Sequence, residues 1–479
     1  MRVLDNLQPQ KVFSFFEDIC NIPHGSTNLD GISSYLEKFA KERDLFCIRD
    51  EANNVIIVKE ATEGYENVEP IILQGHMDMV AVKKADCDID LQKDPLRLKV
   101  DGDYVYAEGT SLGGDDGIAV AYALAILDSN DIPHPRIEVV ITTDEEIGME
   151  GATAIDLSML KAKRMLNIDS EEEGILLTSC AGGARVDCNI PVERELKQGK
   201  CYELSVNGLT GGHSGTEINK ERGNAIKMLG RVLHELLKAD ALQIVSMQGG
   251  EKDNAIPREA SAQVVVEDEK TFLEGVEKVN QVLKNENKTK ELNLSVQAKP
   301  ITQQSTQVLT IEATQRVSDF LMLLPNGVIA MSADIEGLVE TSLNVGILTL
   351  TEDVLSTASA VRSSIESAKQ NVIESLRVLT KNFGGDNSIH GEYPGWQFNP
   401  DSKLRATMVT IYKEMFGEDV KVEALHAGLE CGIMIAKIPG LDCVSFGPNI
   451  YDIHTTEEKL SISSTERMWK YILEILKTK

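Results

Sequence analysis

The chain lacks any apolar run long enough to cross a bilayer. Its longest apolar stretch, near Ile118 to Leu127, falls well short of the roughly 20 residues a spanning helix needs. The opening MRVLDNLQPQKVF carries no long apolar segment of the secretory kind, so mature protein is the expectation. Paired-cysteine motifs are missing as well. The eight cysteines, Cys20, Cys47, Cys87, Cys180, Cys188, Cys201, Cys431 and Cys443, are scattered, and none forms a C-x-x-C pair. That spacing argues against a disulfide framework and a cysteine-ligated zinc site, and fits reduced thiols in the cytoplasm. Basic residues are scarce: 48 Lys and Arg face 76 Asp and Glu, a net charge of -28. A field of that sign repels nucleic acid and anionic membrane, so neither is expected as a partner. No low-complexity segment stands out, and NENKTKE (285–291) reads as a solvated loop.

What the chain does have is length and periodicity. Its 479 residues, 42% of them apolar, exceed one ordinary core and suit two or three domains. Val12, Phe15, Phe16 and Ile19, then Ile32, Tyr35, Leu36 and Phe39, recur with helical spacing. Strands are expected at 54–58, 71–73 and 104–107. GGDDGIAVAYALAILDSN opens a helix at about Asp116, with acids in its first turn. RIEVVITTDEE and RMLNIDSEEEG are strands that end in acids. Strands alternating with helices imply an α/β layer with a mostly parallel sheet flanked by helices. After about Ala184 the texture changes to antiparallel-type alternation with helices at 225–237 and near 272–283, and a hairpin at 341–364. Near Asp386 the α/β texture returns, closing on the amphipathic STERMWKYILEILKTK. The expected organisation is therefore a catalytic domain in two parts, 1–184 and 387–479, interrupted by an inserted α+β domain at 185–386.

In open α/β sheets, ligands bind at the carboxyl ends of the strands. His76 and Asp78, Asp115, Glu145 and Glu146, Asp169, and His454 all follow strands or precede a helix start. Taken singly, each has a plain structural role: His-x-Asp a polar turn, Asp169 a strand-end cap, Glu145 and Glu146 solvated acids. Together, so many acids and imidazoles are costly unless cations neutralise them. Two His, two Asp and one Glu make a nitrogen–oxygen set that suits Zn²⁺, with Mn²⁺ or Co²⁺ as substitutes. One carboxylate can bridge ions about 3.5–4 Å apart. Glu145 and Glu146, as neighbours in an extended segment, point opposite ways, so one can ligate while the other acts as general base. Asp78 fits the support of His76 in one tautomer. Asp116 is open between an N-cap and an extra acid beside the bridge. Glu171–Glu173 read as solvated.

GHMDMV, SLGGDDGIAVA, TTDEEIGMEGA, LNIDSEEEG, GLTGGHSG and a late IH, in that order, resemble the aminoacylase and carboxypeptidase superfamily of co-catalytic zinc metallopeptidases. GGEKDNAIPRE, EYPGWQF and HAGLECGI narrow the resemblance to the aminoacylhistidine dipeptidase branch, and it covers nearly the whole chain. It implies two Zn²⁺ per subunit, one held by His76 and Asp169, the other by Glu146 and His454, with Asp115 as bridge and a cis Asp115–Asp116 peptide. It also implies Asp78 as support and Glu145 as general base. The inserted domain would be a lid and a homodimer interface, with His213 stabilising an oxyanion and Asn254 and Arg362 holding the substrate carboxylate or carbonyl. A turn residue, an Asx-turn before AIP and a surface hairpin arginine are the respective alternatives for those three. His24, His134, His234, His390 and His426 are structural by default, His426 being the readiest exception because HAGLECG reads as a substrate loop.

The function implied is hydrolysis of unblocked dipeptides such as Xaa-His, β-Ala-His included. An N-acyl-amino-acid deacylase on the same scaffold is the alternative among enzymes, and a non-catalytic dimeric binding protein the alternative outside them. An acid beside the metal-ligating one has no use in a binder.

Overall fold

Two runs in which every residue is buried, Ile71–His76 and Ile137–Thr142, form the centre of the first sheet. They pair in parallel from Ile71↔Ile137 to His76↔Thr142. Parallel strands need cover on both faces, because their crossover helices pack there. In the computed structural model, which describes residues 2–238, 242–302 and 305–479, this sheet has eight strands. Their order is Phe46–Arg49, Val55–Lys59, Ile137–Thr142, Ile71–His76, Arg164–Asn167, Asp442–Ser445, Ile175–Cys180 and Lys421–Leu425. The four strands from Ile137–Thr142 to Asp442–Ser445 run parallel, so their carboxyl ends share one edge. This is the mixed α/β sheet flanked by helices expected from the alternation of the sequence.

The chain forms two compact units. The first comprises Met1–Ser179, Phe398–Ala424 and Leu429–Lys479 and contains that sheet. Its helix Gly114–Asp128 is buried from Gly114 to Leu127, as an apolar helix with no polar face must be. The helix can lie close to the strand Ile71–His76 because residue 75 is glycine. A Cβ there would sit 2.3 Å from Asp116 Oδ2 and 2.6 Å from the Ala119 Cβ. The first turn departs from helical geometry at Asp115 (φ -84°, ψ 106°) and Asp116 (φ -117°, ψ 30°), and the Asp115–Asp116 peptide is cis. The closing helix Ile462–Leu476 buries Tyr471 edge-on to Tyr412 and Phe446, and Trp469 stacks on Tyr122.

The second unit comprises Cys180–Gln397 and Leu425–Gly428. Its sheet is antiparallel and runs Ser295–Ile301, Lys200–Asn207, Ala260–Val266, Leu242–Gly249, Val339–Leu350, Val354–Ser363, Gly182–Pro191 and Asp386–Tyr393, with Gly327–Met331 pairing Val339–Leu350 off that path. The helix Ala225–Leu237 has the bounds expected, capped by Asn224, whose side chain accepts from the N–H groups of Ile226 and Lys227. Val339–Leu350 and Val354–Ser363 form the expected hairpin. One element differs from expectation. Asp386–Tyr393 pairs antiparallel with Gly182–Pro191 and extends this sheet, where the sequence texture implied a return to the α/β layer. None of its residues is fully buried, so no apolar period marks it.

Gly75→Ala tests the close approach of helix and strand. The added methyl group meets a carboxylate and a neighbouring methyl, and overpacking of this kind costs about 1–3 kcal/mol. Denaturant unfolding of the variant is expected to show that loss, and an unchanged midpoint would mean the helix yields freely.

Candidate metal centre

At the shared carboxyl edge the side chains converge. His76, the last residue of its strand, is fully buried, and its Nε2 lies 3.3 Å from Asp115 Oδ1 and 3.5 Å from Asp169 Oδ1. His454 reaches the same aspartate from the other side: its Nε2 lies 3.2 Å from Asp115 Oδ2 and 2.9 Å from Glu146 Oε1. Asp115 therefore presents one oxygen to each histidine. Two groups of donor atoms lie within 4.8 Å of one another, His76 with Asp115 and Glu146, and His76 with Asp116 and Asp169. Asp116, left open by the sequence, accepts the backbone N–H of His76 at 3.2 Å and is buried.

Asp78 is connected more widely than a His-x-Asp pair requires. The nearer partner of His76 Nδ1 is the backbone carbonyl of Asp78 at 2.9 Å, with the carboxylate at 3.5 Å. An Nδ1–H donated there leaves Nε2 free to ligate. The Asp78 carboxylate accepts from Ser26 Oγ at 2.9 Å and from the backbone N–H groups of Glu145 and Glu146 at 3.1 and 3.4 Å. Those two glutamates lie in a turn beyond Thr142, after a left-handed Asp144 (φ 51°), and not in the extended segment assumed for them. Glu146 is turned to His454 by this bend, not by strand alternation.

The electrostatics follow from crowding acids below the surface. Burial drives the Asp115 carboxyl upward, yet hydrogen bonds from His454 and His76 outweigh it and hold the group well below the usual range. The carboxylates of Asp115 and Glu146 beside it raise His454 to about 10. Burial opposes charge on His76, but contacts with Asp115, Asp169 and Asp78 raise it well above its ordinary value. Burial raises Asp169. Burial, with the charges of Asp169, Glu430 and Glu146, pushes Glu145 up to about 9 against the pull of His76.

A polar layer that the sequence reading missed lies behind the ligands. Glu430 is fully buried and opens the helix Glu430–Lys437, so it does not belong to a substrate loop. Its Oε2 accepts from Gln74 Nε2 at 2.5 Å and Thr142 Oγ1 at 2.7 Å, and Asn167 Nδ2 donates to Gln74 Oε1 at 2.6 Å. Gln74 within IILQGH, two residues before His76 and on the same face, was the available signal. Glu173 is also not solvated: Arg467 grips it with two nitrogens.

In the second unit, the ladder Gly212–His213 with Ala255–Ile256 brings His213 and Asn254 together, and Ser214 N–H donates to the Asn254 carbonyl at 2.9 Å. His213 Nδ1 accepts from the N–H groups of Gly215 and Thr216 at 3.3 and 3.2 Å, which puts the ring proton on Nε2. Asn344 Nδ2 holds the loop of Asn254 through the carbonyls of Asp253 and Ala255. Arg362 is not a surface arginine. It is 9% exposed, donates to Tyr393 Oη at 3.0 Å, and its Nε has no hydrogen-bond partner among the described residues. His426 is buried, with Nε2 2.7 Å from Ser342 Oγ, and burial with the charge of Arg362 lowers it to about 4.

The first unit's donor set fits divalent cations. Glu146 Oε1 is buried and 2.9 Å from His454 Nε2, yet it has no hydrogen-bond partner among the described residues. Two donors that approach without hydrogen-bond alignment are placed to share a cation. Nitrogen and carboxylate oxygen are the ligands zinc and its neighbours take.

Comparison with known proteins follows the same line. The chain is 37% identical to the cytosol non-specific dipeptidase of Escherichia coli K12, over 100% of this chain and 99% of that protein. The crystal structure of aminoacylhistidine dipeptidase from Vibrio alginolyticus matches with a TM-score of 0.94 and 37% identity, covering 99% of this chain and 97% of that one. An aminopeptidase from Bacillus cereus, at 15% identity and a TM-score of 0.56 over 98% of each chain, shares the fold. The sequence family described as peptidase family M20/M25/M40 matches residues 72–478, and this chain belongs to it.

Proposed function

We propose that the protein is a two-metal dipeptidase that hydrolyses unblocked dipeptides, Xaa-His among them. The observation that carries this reading is Asp115, with Oδ1 beside His76 and Oδ2 beside His454. A carboxylate so placed is suited to bridge two cations. His76 and Asp169 would hold one, and Glu146 and His454 the other, with zinc the metal that matches the set. When bound, the cations polarise the scissile carbonyl and acidify the attacking water. Glu145, pushed up to about 9 by burial and the neighbouring acids, returns to a carboxylate once bound cations offset them, takes the water's proton and passes it to the leaving amine. Asp78 orients His76 and, through the two N–H groups it accepts, keeps the base and the neighbouring ligand in register. His213 offers its Nε2–H to the developing oxyanion, and Asn254 and Arg362 hold the substrate carboxylate or carbonyl, an arginine fork being matched to a carboxylate.

The names of the Escherichia coli and Vibrio alginolyticus relatives, at 37% identity over nearly full length, support the dipeptidase reading. The word cytosol in the first supports a cytoplasmic location. We assign the inserted segment, 185–386, the roles of lid and homodimer interface. Ile311, Leu323, Ile329 and Met331, exposed on the second unit, accord with an interface.

Chelator-stripped protein titrated with Zn²⁺ and assayed on Ala-His, β-Ala-His and their N-acetylated forms tests the proposal. Hydrolysis of the free-amine forms, rising to a plateau near two metals per chain, is the expected result. Cleavage of blocked substrates alone would move the assignment to a deacylase.

Glu145→Gln is expected to lower turnover about 10²–10⁴-fold while metal content and melting temperature hold. Retained turnover would remove Glu145 as the base. Metal uptake should also release protons. At pH 7 His454, raised to about 10, and His76, raised well above its ordinary value, carry protons that ligation must displace. Calorimetric titration in buffers of different ionisation enthalpy should therefore show release of at least two protons per chain, with Glu145, pushed up to about 9, adding to the two histidines, and affinity should fall as pH falls. Uptake without proton release would mean that neither histidine holds a proton before the metal binds.

A further inference from the structure

One buried carboxylate close to the centre has no part in the roles above. Glu458 is 3% exposed, and no Lys or Arg among the described residues pairs with it. Its partners are four successive backbone N–H groups. Oε2 accepts from Leu112 at 2.7 Å and Gly113 at 3.0 Å, and Oε1 from Gly114 at 2.8 Å and Asp115 at 3.4 Å. These belong to the turn into the helix Gly114–Asp128, where Gly113 is left-handed (φ 70°) and the unpaired N–H groups point outward together. Such a cradle favours an anion. Here the anion comes from the turn that carries His454.

That second turn is tied internally: Thr455 Oγ1 donates to the Asp452 carbonyl at 2.7 Å, and the Glu457 N–H donates to Thr455 Oγ1 at 3.1 Å. Directly after Glu458, the strand Lys459–Ser461 pairs with Tyr104–Ala107. Glu458 thus links two otherwise separate loops at the point where each delivers a side chain, Asp115 from one and His454 from the other. Glu458 ties the backbone beside Asp115 to the turn that carries His454, whose side chain lies 3.2 Å from Asp115.

We propose that Glu458 is a positioning residue that sets the distance between Asp115 and His454, and through it the affinity of the cation position formed by Asp115, Glu146 and His454. The proposal rests on the two-metal reading. The position formed by His76 and Asp169 shares Asp115 with this clamp through the Oδ1 that faces His76, but its other two residues come from other strands, so it depends on the clamp less.

Glu458→Gln tests it. The amide keeps the shape but offers one oxygen, and its NH₂ faces two N–H groups, donor against donor. Metal-stripped wild type and variant are titrated with Zn²⁺ by calorimetry and with Co²⁺ by visible absorption, alongside melting of the metal-free chains. The expected result is that one equivalent weakens about 10–100-fold, the range for losing a residue that orients a ligand, and the other, which shares only Asp115 with it, weakens markedly less. With the weakened position refilled at high metal, kcat should recover. Gly114→Ala provides a second route should the first variant fold poorly. Its Cβ would lie 3.3 Å from Glu458 Oε1 and displace the carboxylate, giving a smaller loss at the same equivalent. Equal weakening of both equivalents, or of neither, in these variants overturns the proposal. A wild-type chain that takes up only one equivalent overturns the two-metal reading itself, and this inference with it.

Discussion

Asp115 must reach two histidines with its two oxygens, and the carboxyl edge is built around that demand. A carboxylate shared in this way has to be buried, rigid and approached from two sides. Gly75 lets the helix that carries Asp115 close on the strand that carries His76. Asp78 ties the strand end to the turn that carries Glu145 and Glu146. Burying so many acids together is unfavourable unless each is paired, hydrogen-bonded or neutralised. The shifts at this edge express that cost, with the histidines holding protons strongly and Glu145 and Asp169 pushed upward.

The second unit solves a different problem. Its antiparallel sheet supports a two-stranded ladder and a hairpin from which His213, Asn254 and Arg362 project. Each is held by backbone or neighbouring side chains: His213 by two N–H groups, the Asn254 loop by Asn344, Arg362 by Tyr393. In the substrate-binding role proposed for them, residues held this way would keep their orientation without a ligand, which lowers the entropic cost of binding one. Arg362 Nε, without a hydrogen-bond partner among the described residues, and the protonated Nε2 of His213 are donors left over after the scaffold has taken its share.

The legible parts of the sequence were those governed by period and by local chemistry. The apolar run Ile71–Leu73 marked a buried strand, RIEVVITTDEE marked a strand ending in acids, and the Ala, Ile and Leu after Asp116 marked a helix. The acids and imidazoles at the strand ends stood out because polar groups there need a reason. Less legible was whatever depended on partners distant in sequence. Asp386–Tyr393 has no buried residue, so its place in the second sheet rests on backbone pairing alone. Glu430 meets Gln74 across 356 positions, and no local pattern announces such a pair. Strand alternation was assumed for Glu145 and Glu146, whereas they lie in a turn, and Glu146 reaches His454 from it.

By itself the sequence determined the α/β class, the expectation of an inserted domain and the cluster of ligand-type residues at strand ends. These follow from hydrophobic period and residue chemistry, which act over a few positions. Tertiary structure decided which oxygen of Asp115 faces which histidine, that the Asp78 carbonyl is the closer partner of His76, that Arg362 is buried, and that Glu458 closes the turn before Asp115. Most of those outcomes depend on distances between segments that meet only in the folded chain, Asp115 and His454 or Gly114 and Glu458 being more than 300 residues apart, and packing sets such distances.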